Sequence, residues 1–187
     1  MSDATYESKI FEHLRSVCCS SGLILHQEDP VCEKCKTTVR ITNGALWLRK
    51  GVPEKSELDY FSGIRTFIRK RSWLFSLAKV IIPVHGSGPR SGSFLREKCE
   101  PTSIMIDIGS GNNRVHPMVT NIDVLPYEEV DIVADACALP IESGCVDAIV
   151  SEAALEHIPN SDTALKECSR VLRSGGRIFI VVHLCNP

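Results

Sequence analysis

From Ile104 onward the chain reads as short apolar runs, each closed by polar residues. Ile104-Met105-Ile106 leads into Asp107, Thr120-Asn121-Ile122 into Asp123, and Asp131-Ile132-Val133-Ala134 into Asp135. Val146 to Val150 leads into Ser151-Glu152, and Arg177 to Val182 forms a final run. Runs without polar alternation predict strands buried on both faces, and so a parallel sheet. Polar residues gathered at the strand ends predict a ligand at the carboxyl edge. Between the last two runs, Ser161 is the expected cap of a helix reaching Arg173. Leu165, Cys168, Val171 and Leu172 give that helix its inner face, and Gly175-Gly176 gives its stop.

The first half of the chain is patterned differently. Residues 1–56 carry brief apolar stretches (Leu23 to Leu25, Val39 to Ile41, Ala45 to Leu48), broken at Ser20-Ser21-Gly22, Asp29-Pro30, Asn43-Gly44 and Gly51. Short strands with frequent turns are expected, forming a small module. Residues 57–84 space Leu58, Phe61, Ile64 and Ile68 along one helical face, with Arg65, Arg69, Lys70, Arg71 and Lys79 among them. That amphipathic pattern fits a helix packing on the protein better than one meeting lipid or RNA. The Gly/Ser/Pro stretch 85–93 completes a linker over 57–93, and 94–187 is left as the second domain.

At 187 residues and 43% hydrophobic, the chain can bury one sizeable core, and its net charge of −2 gives no global pull toward nucleic acid. The start, MSDATYESKIFEHLRS, has no apolar signal core, and the apolar stretch Trp73–Val84 is too short to span a bilayer. A soluble, cytoplasmic protein is expected.

The chemistry concentrates at the strand ends. In Asp107-Ile108-Gly109-Ser110-Gly111-Asn112, the glycines let the backbone bend sharply and approach a ligand. Asp123 lies 16 residues after Asp107, where a carboxylate can accept from a ribose diol. Asp135, opening Asp135-Ala136-Cys137-Ala138-Leu139-Pro140, can accept from an adenine amino group.

With these pieces in order, the stretch Ile104–Val182 resembles a class I S-adenosylmethionine-dependent methyltransferase, of the methyltransferase type 11 group. The matching segments are IDIGSGN, NIDV, ADACALPIESGCVDAIVSEAALEHIPN and ALKECSRVLRSGGRIFIVV. The resemblance implies a Rossmann-like, mostly parallel α/β sheet with S-adenosylmethionine as cofactor. Asp107, Gly109 and Gly111 would line the methionine and ribose, and Asp123 would bind the ribose hydroxyls. Asp135 and the Ala136 backbone would hold the adenine, and Ser151 to Ala153 would lie beneath the sulfonium. His157, in Glu156-His157-Ile158-Pro159, is the candidate general base, with loop shaping as its alternative role.

Two departures from the family accompany the match. Only eight residues, NNRVHPMV, separate Gly111 from Thr120, and Pro117 among them opposes the helix usual there. The family fold also continues beyond the fifth strand, so this chain reads as truncated, with C-terminal strands missing. Arg177 to Leu184 would then be an exposed apolar edge that a protein partner or self-association would cover. The expected activity is methyl transfer to a small-molecule or lipid-like acceptor. The alternatives are a non-catalytic cofactor-binding or partner-stabilising protein, and an RNA methyltransferase.

Of the nine cysteines, Cys18, Cys19, Cys32 and Cys35 cluster near the N-terminus. Cys32-Glu33-Lys34-Cys35 has the spacing by which two thiolates reach one zinc ion. The segment from Cys18 to Leu48 resembles the small zinc-ribbon domains fused to several methyltransferases, with serine in place of the second ligand. The resemblance implies zinc on Cys18, Cys32 and Cys35, with Cys19 or His26 as a substitute fourth donor. The other reading is a degenerate ribbon held by its apolar strands.

Overall fold

The computed structural model describes residues 9–51, 91–98, 100 and 102–182. The helix expected over 57–84, the linker at 85–90, Cys99 and Cys185 lie outside the described residues. Those of 9–50 and 91–182 belong to one compact unit. Among the described residues, no helix is long and apolar enough to cross a membrane.

A hairpin opens the chain: β1 (Leu23–His26) pairs antiparallel with β2 (Asp29–Cys32). Asp29-Pro30 was expected to turn the chain. The turn is instead made by Gln27 and Glu28, both with positive φ (51° and 71°), because a two-residue hairpin loop of matching twist needs left-handed backbone at both positions. The next hairpin, β3 (Ile41–Thr42) and β4 (Ala45–Trp47), turns at Asn43-Gly44 as its dipeptide predicts. Helix α1 spans Ser91–Lys98, so residues 91–93 of the expected linker form its first turn.

The five strands expected from the apolar runs are all present: β5 (Met105–Ile108), β6 (Val119–Asp123), β7 (Ile132–Val133), β8 (Val146–Glu152) and β9 (Leu172–Val181). Together with the second hairpin they form one sheet in the order β3-β4-β7-β6-β5-β8-β9. Every pairing from β4 to β9 is parallel. Registers such as Asp107↔Asn121 and Asp107↔Val150 bring the strand tips level.

Helix α2 (Ser161–Val171) lies where expected and buries Ala164, Cys168 and Val171, while Leu165 is 40% exposed. Its N-cap is Asn160 rather than Ser161, and no side-chain hydrogen bond makes the cap. The chain enters β9 directly at Leu172, and Gly175-Gly176 sits in an irregularity between the Val146↔Leu172 and Ala148↔Arg177 pairs. A β-carbon on Gly176 would press within 3.1 Å of the Val146 carbonyl, which explains a glycine there. Among the described residues β9 is an edge, with Ile178 and Val182 39% and 46% exposed.

The core has two sides. On one, Ile106, Ile122, Ile132 and Ile149 meet Cys168 and Val171 of α2, together with Ile10, Leu14 and Leu23 from the N-terminal segment. On the other, Leu95 of α1 packs with Met105, Val119, Ala148 and Val150, and the Phe94 and Phe179 rings stack 5.4 Å apart. The N-terminal residues expected as a module over 1–56 are therefore tied into the sheet. β4 pairs with β7 (Leu46↔Ile132, Trp47↔Val133), and Leu14 and Leu46 are buried in the same cluster as the central strands. Short strands cannot bury an apolar face alone, and the open edge of β7 supplies the cover.

Candidate functional site

The loop after β5 is shaped by its two glycines. Gly109 (φ +73°) and Gly111 (φ +58°) take left-handed backbone, and the Gly109 amide donates to the Ile122 carbonyl at 2.8 Å. A β-carbon on Gly109 would stand 2.3 Å from the Ala154 β-carbon, so the loop after β8 is pressed against the glycine bend. Ala153 itself holds φ +54°, a conformation an L-residue adopts only where its surroundings enforce it.

Asp123 closes the bend from the neighbouring strand. One of its oxygens accepts from the Gly111 amide (2.9 Å) and the other from the Leu125 amide (3.0 Å). The Ala134 amide donates to the Asp123 carbonyl (2.9 Å), tying the end of β7 to the same point. Exposed Asp135 accepts from the Cys137 amide at 2.8 Å, a local turn that begins the segment 135–142. The expected site residues Asp107, Gly109, Gly111, Asp123 and Ser151 thus lie at adjacent strand tips, with Asp135 and Ala136 just past the end of β7.

Asp107 dominates the electrostatics here. It is 3% exposed, and burial, followed by the charges of Glu152 and Asp123, pushes its carboxyl up to about 7. The hydroxyls of Ser110 and Ser151 are buried and find no partner among the described residues. An unsatisfied buried hydroxyl costs about 1–3 kcal/mol. Two of them beside a buried acid and a glycine bend suit a polar, cationic ligand carrying hydroxyls. Ser110 joins the site without having been singled out from the sequence, and Glu152, within the expected Ser151–Ala153 stretch, adds its charge beside Asp107. His157 is exposed on a short helical turn, Leu155–His157, with its amide donating to the Ala154 carbonyl (2.9 Å).

The stretch between β5 and β6 has no helix, as Pro117 and its length predict. Arg114 takes the helix's place. Its guanidinium donates to both Asp131 oxygens (2.9 and 3.1 Å), to the Glu129 carboxylate (2.9 Å), and to the carbonyls of Val119 (3.1 Å) and Glu129 (2.8 Å).

The N-terminal thiols form a second centre. The Sγ atoms of Cys18, Cys19, Cys32 and Cys35 all lie within 4.8 Å of one another, and Cys18 and Cys35 are 3.5 Å apart. Four sulfurs at about 2.3 Å from one tetrahedral ion stand about 3.8 Å apart, so the spacing fits a metal. Of the two expected substitutes for the fourth donor, Cys19 lies in the cluster with Cys18, Cys32 and Cys35, and His26 lies exposed on β1 outside it. Adjacent cysteines can both contribute because residues 16–20 curl back, the Ser20 amide donating to the Ser16 carbonyl at 2.9 Å. Hydrogen bonds from the Cys35 amide and the Ser16 and Ser21 hydroxyls pull the Cys32 thiol down to about 5. The Thr37 hydroxyl and amide lower Cys35 as well. Both effects favour the thiolate that binds metal.

Residues 112–180 match the family model for a methyltransferase domain. The tRNA (carboxymethyluridine(34)-5-O)-methyltransferase ALKBH8 of Mus musculus is 34% identical over 115 residues, 52% of this chain and 17% of that protein. The malonyl-[acyl-carrier protein] O-methyltransferase of Methylococcus capsulatus is 47% identical over 47 residues, 25% of this chain and 17% of that protein. The chain thus spans less than a fifth of either relative. Among solved structures, the YcgJ protein of Bacillus subtilis is 23% identical with a TM-score of 0.43, covering 49% of each chain. The match over 112–180 falls on β6 to β9, and the glycine bend stands at the centre of the parallel order β7-β6-β5-β8-β9.

Proposed function

We propose that the chain binds S-adenosylmethionine across the tips of β5, β6, β7 and β8 and transfers its methyl group to a small-molecule or lipid-like acceptor. The observation that carries this reading is the buried Asp107 carboxyl beside the Gly109–Gly111 bend, an anionic cradle without bulk that suits a cationic cofactor. Asp107 takes the ammonium end of the methionine, with Gly109 and Gly111 admitting it closely. Asp123, at the tip of β6, takes the ribose hydroxyls. Asp135 and the Ala136 backbone bound the adenine, and Ser151 lies under the sulfonium. When bound, the cofactor supplies a methyl group already activated for displacement. The chain's work is alignment and exclusion of water. His157 takes a proton where the acceptor must lose one.

Calorimetric titration with S-adenosylhomocysteine tests the site. Charge-assisted hydrogen bonds are worth about 1.5–3 kcal/mol each, so Asp123→Ala should weaken binding at least about 10-fold. Equal affinity in the variant would refute the ribose assignment.

An RNA acceptor is the second reading, favoured by the identity to a tRNA methyltransferase. Methylation of a bulk tRNA fraction, against none of a small-molecule extract, would select it. The thiol cluster in this reading holds zinc through Cys18, Cys19, Cys32 and Cys35, as a structural ion whose four ligands leave no open position. One zinc per chain, lost on Cys32→Ser, is the expected stoichiometry by elemental analysis.

A further inference from the structure

The thiol cluster and the strand-tip site are joined by a short piece of backbone. Leu14 and Ile141 form an antiparallel bridge. Beside it, the Arg15 amide donates to the Pro140 carbonyl (2.8 Å) and the Glu142 amide to the His13 carbonyl (2.9 Å). The Glu142 carboxylate clamps the crossing, taking the Arg15 guanidinium and lying 2.8 Å from His13 Nδ1. On the strand-tip side, this bridged segment runs back to Asp135 and Ala136. On the thiol side, Ser16 follows at once, and its amide donates to the Ser21 carbonyl (2.8 Å) across the turn carrying Cys18 and Cys19. Gly22 bridges Arg15 and accepts the Glu33 amide (3.0 Å), which brings in the Cys32–Cys35 knuckle.

We propose that metal occupancy of the four-cysteine cluster and cofactor occupancy of the strand-tip site are positively linked through this bridge. The inference rests on the cofactor and zinc readings above. A hairpin of two four-residue strands is marginal by itself, so the ion supplies much of the order of residues 16–35. Order there fixes His13 to Ser16, and through them Pro140 to Glu142, the far end of the segment that meets the adenine. A second hold limits the effect. From α2, Glu167 accepts the Leu139 amide (2.8 Å), and Arg170 donates to the carbonyls of Leu139 (2.9 Å) and Ile141 (2.8 Å). The linkage is therefore at the low end of measured couplings, about 5- to 10-fold.

Linkage is reciprocal, and that supplies the test. S-adenosylhomocysteine is titrated into the full chain loaded with zinc and stripped of it. Zinc affinity is measured against a chromophoric chelator with and without saturating S-adenosylhomocysteine. The two ratios should agree, each about 5- to 10-fold in favour of the doubly occupied protein. In Glu142→Gln, which touches neither ligand, both ratios should shrink toward one while circular dichroism stays unchanged. Zinc and S-adenosylhomocysteine binding independently overturns the proposal and leaves both site assignments standing. Failure to bind S-adenosylhomocysteine in any state overturns the cofactor reading, and failure to bind zinc overturns the metal reading; the linkage falls with either. If the stripped chain unfolds, zinc-loaded Glu142→Gln decides alone, since wild-type cofactor affinity in it refutes the bridge.

Discussion

Gly109 and Asp107 set the character of the strand tips, and each makes a prediction. Gly109→Ala meets the Ala154 β-carbon and also forces a left-handed φ on an L-residue. Strain and overpacking together should cost about 2–5 kcal/mol in urea unfolding. Ala154→Gly added to it should recover the part due to collision but not the part due to φ. Asp107 predicts a pH dependence of definite sign. Its folded carboxyl titrates near 7, well above the ordinary 3.8, so between those values the folded chain holds a proton that the unfolded chain has lost. Stability from this group is present at low pH and declines as pH rises through the window. Cofactor binding runs the other way, because a cation favours the carboxylate. S-adenosylhomocysteine affinity should rise toward pH 7 and then level off. Calorimetry near pH 6.5 in buffers of different ionisation enthalpy should show proton release, and Asp107→Asn should abolish it.

At the level of elements, the chain replaces a crossover helix with one arginine. Arg114 gathers Glu129, Asp131 and the carbonyls of Val119 and Glu129. Its side chain remains 28% exposed, so the loss in Arg114→Ala falls below that of a fully buried pair, at about 2–3 kcal/mol by thermal or urea unfolding. Much of this architecture was legible in the sequence. The runs ending at Asp107, Asp123, Asp135 and Ser151 placed β5 to β8 because a strand buried on both faces leaves an unbroken apolar signature. The missing helix was legible in NNRVHPMV. Arg114 was not, because a side chain's partners depend on which strand comes alongside. Between Cys19 and His26 as fourth donor the sequence could not choose, since adjacency argues against shared ligation until the curl of residues 16–20 is known. β3 and β4 pair over two or three residues, too few to show any period, so their place in the sheet was hidden.

For the whole molecule, β3 and β4 share one sheet with β5 to β9. Removing residues 1–50 would strip β4 from β7 and bare the face that Ile10, Leu14, Leu23 and Leu46 cover. The expected outcome is loss of the cooperative thermal transition, rather than a folded catalytic domain. A truncated chain that melted cooperatively near the wild-type temperature would restore the two-module view.

The Leu46↔Ile132 pairing also sets an order of events during synthesis. Every residue from Cys18 to Cys35 has left the ribosome long before the segment containing Ile132 and Val133 exists. Capture of an ion by these thiols needs only neighbours close in sequence, whereas β4 must wait for its partner strand. In the zinc reading proposed above, the thiol turn can therefore close around an ion before β4 meets β7.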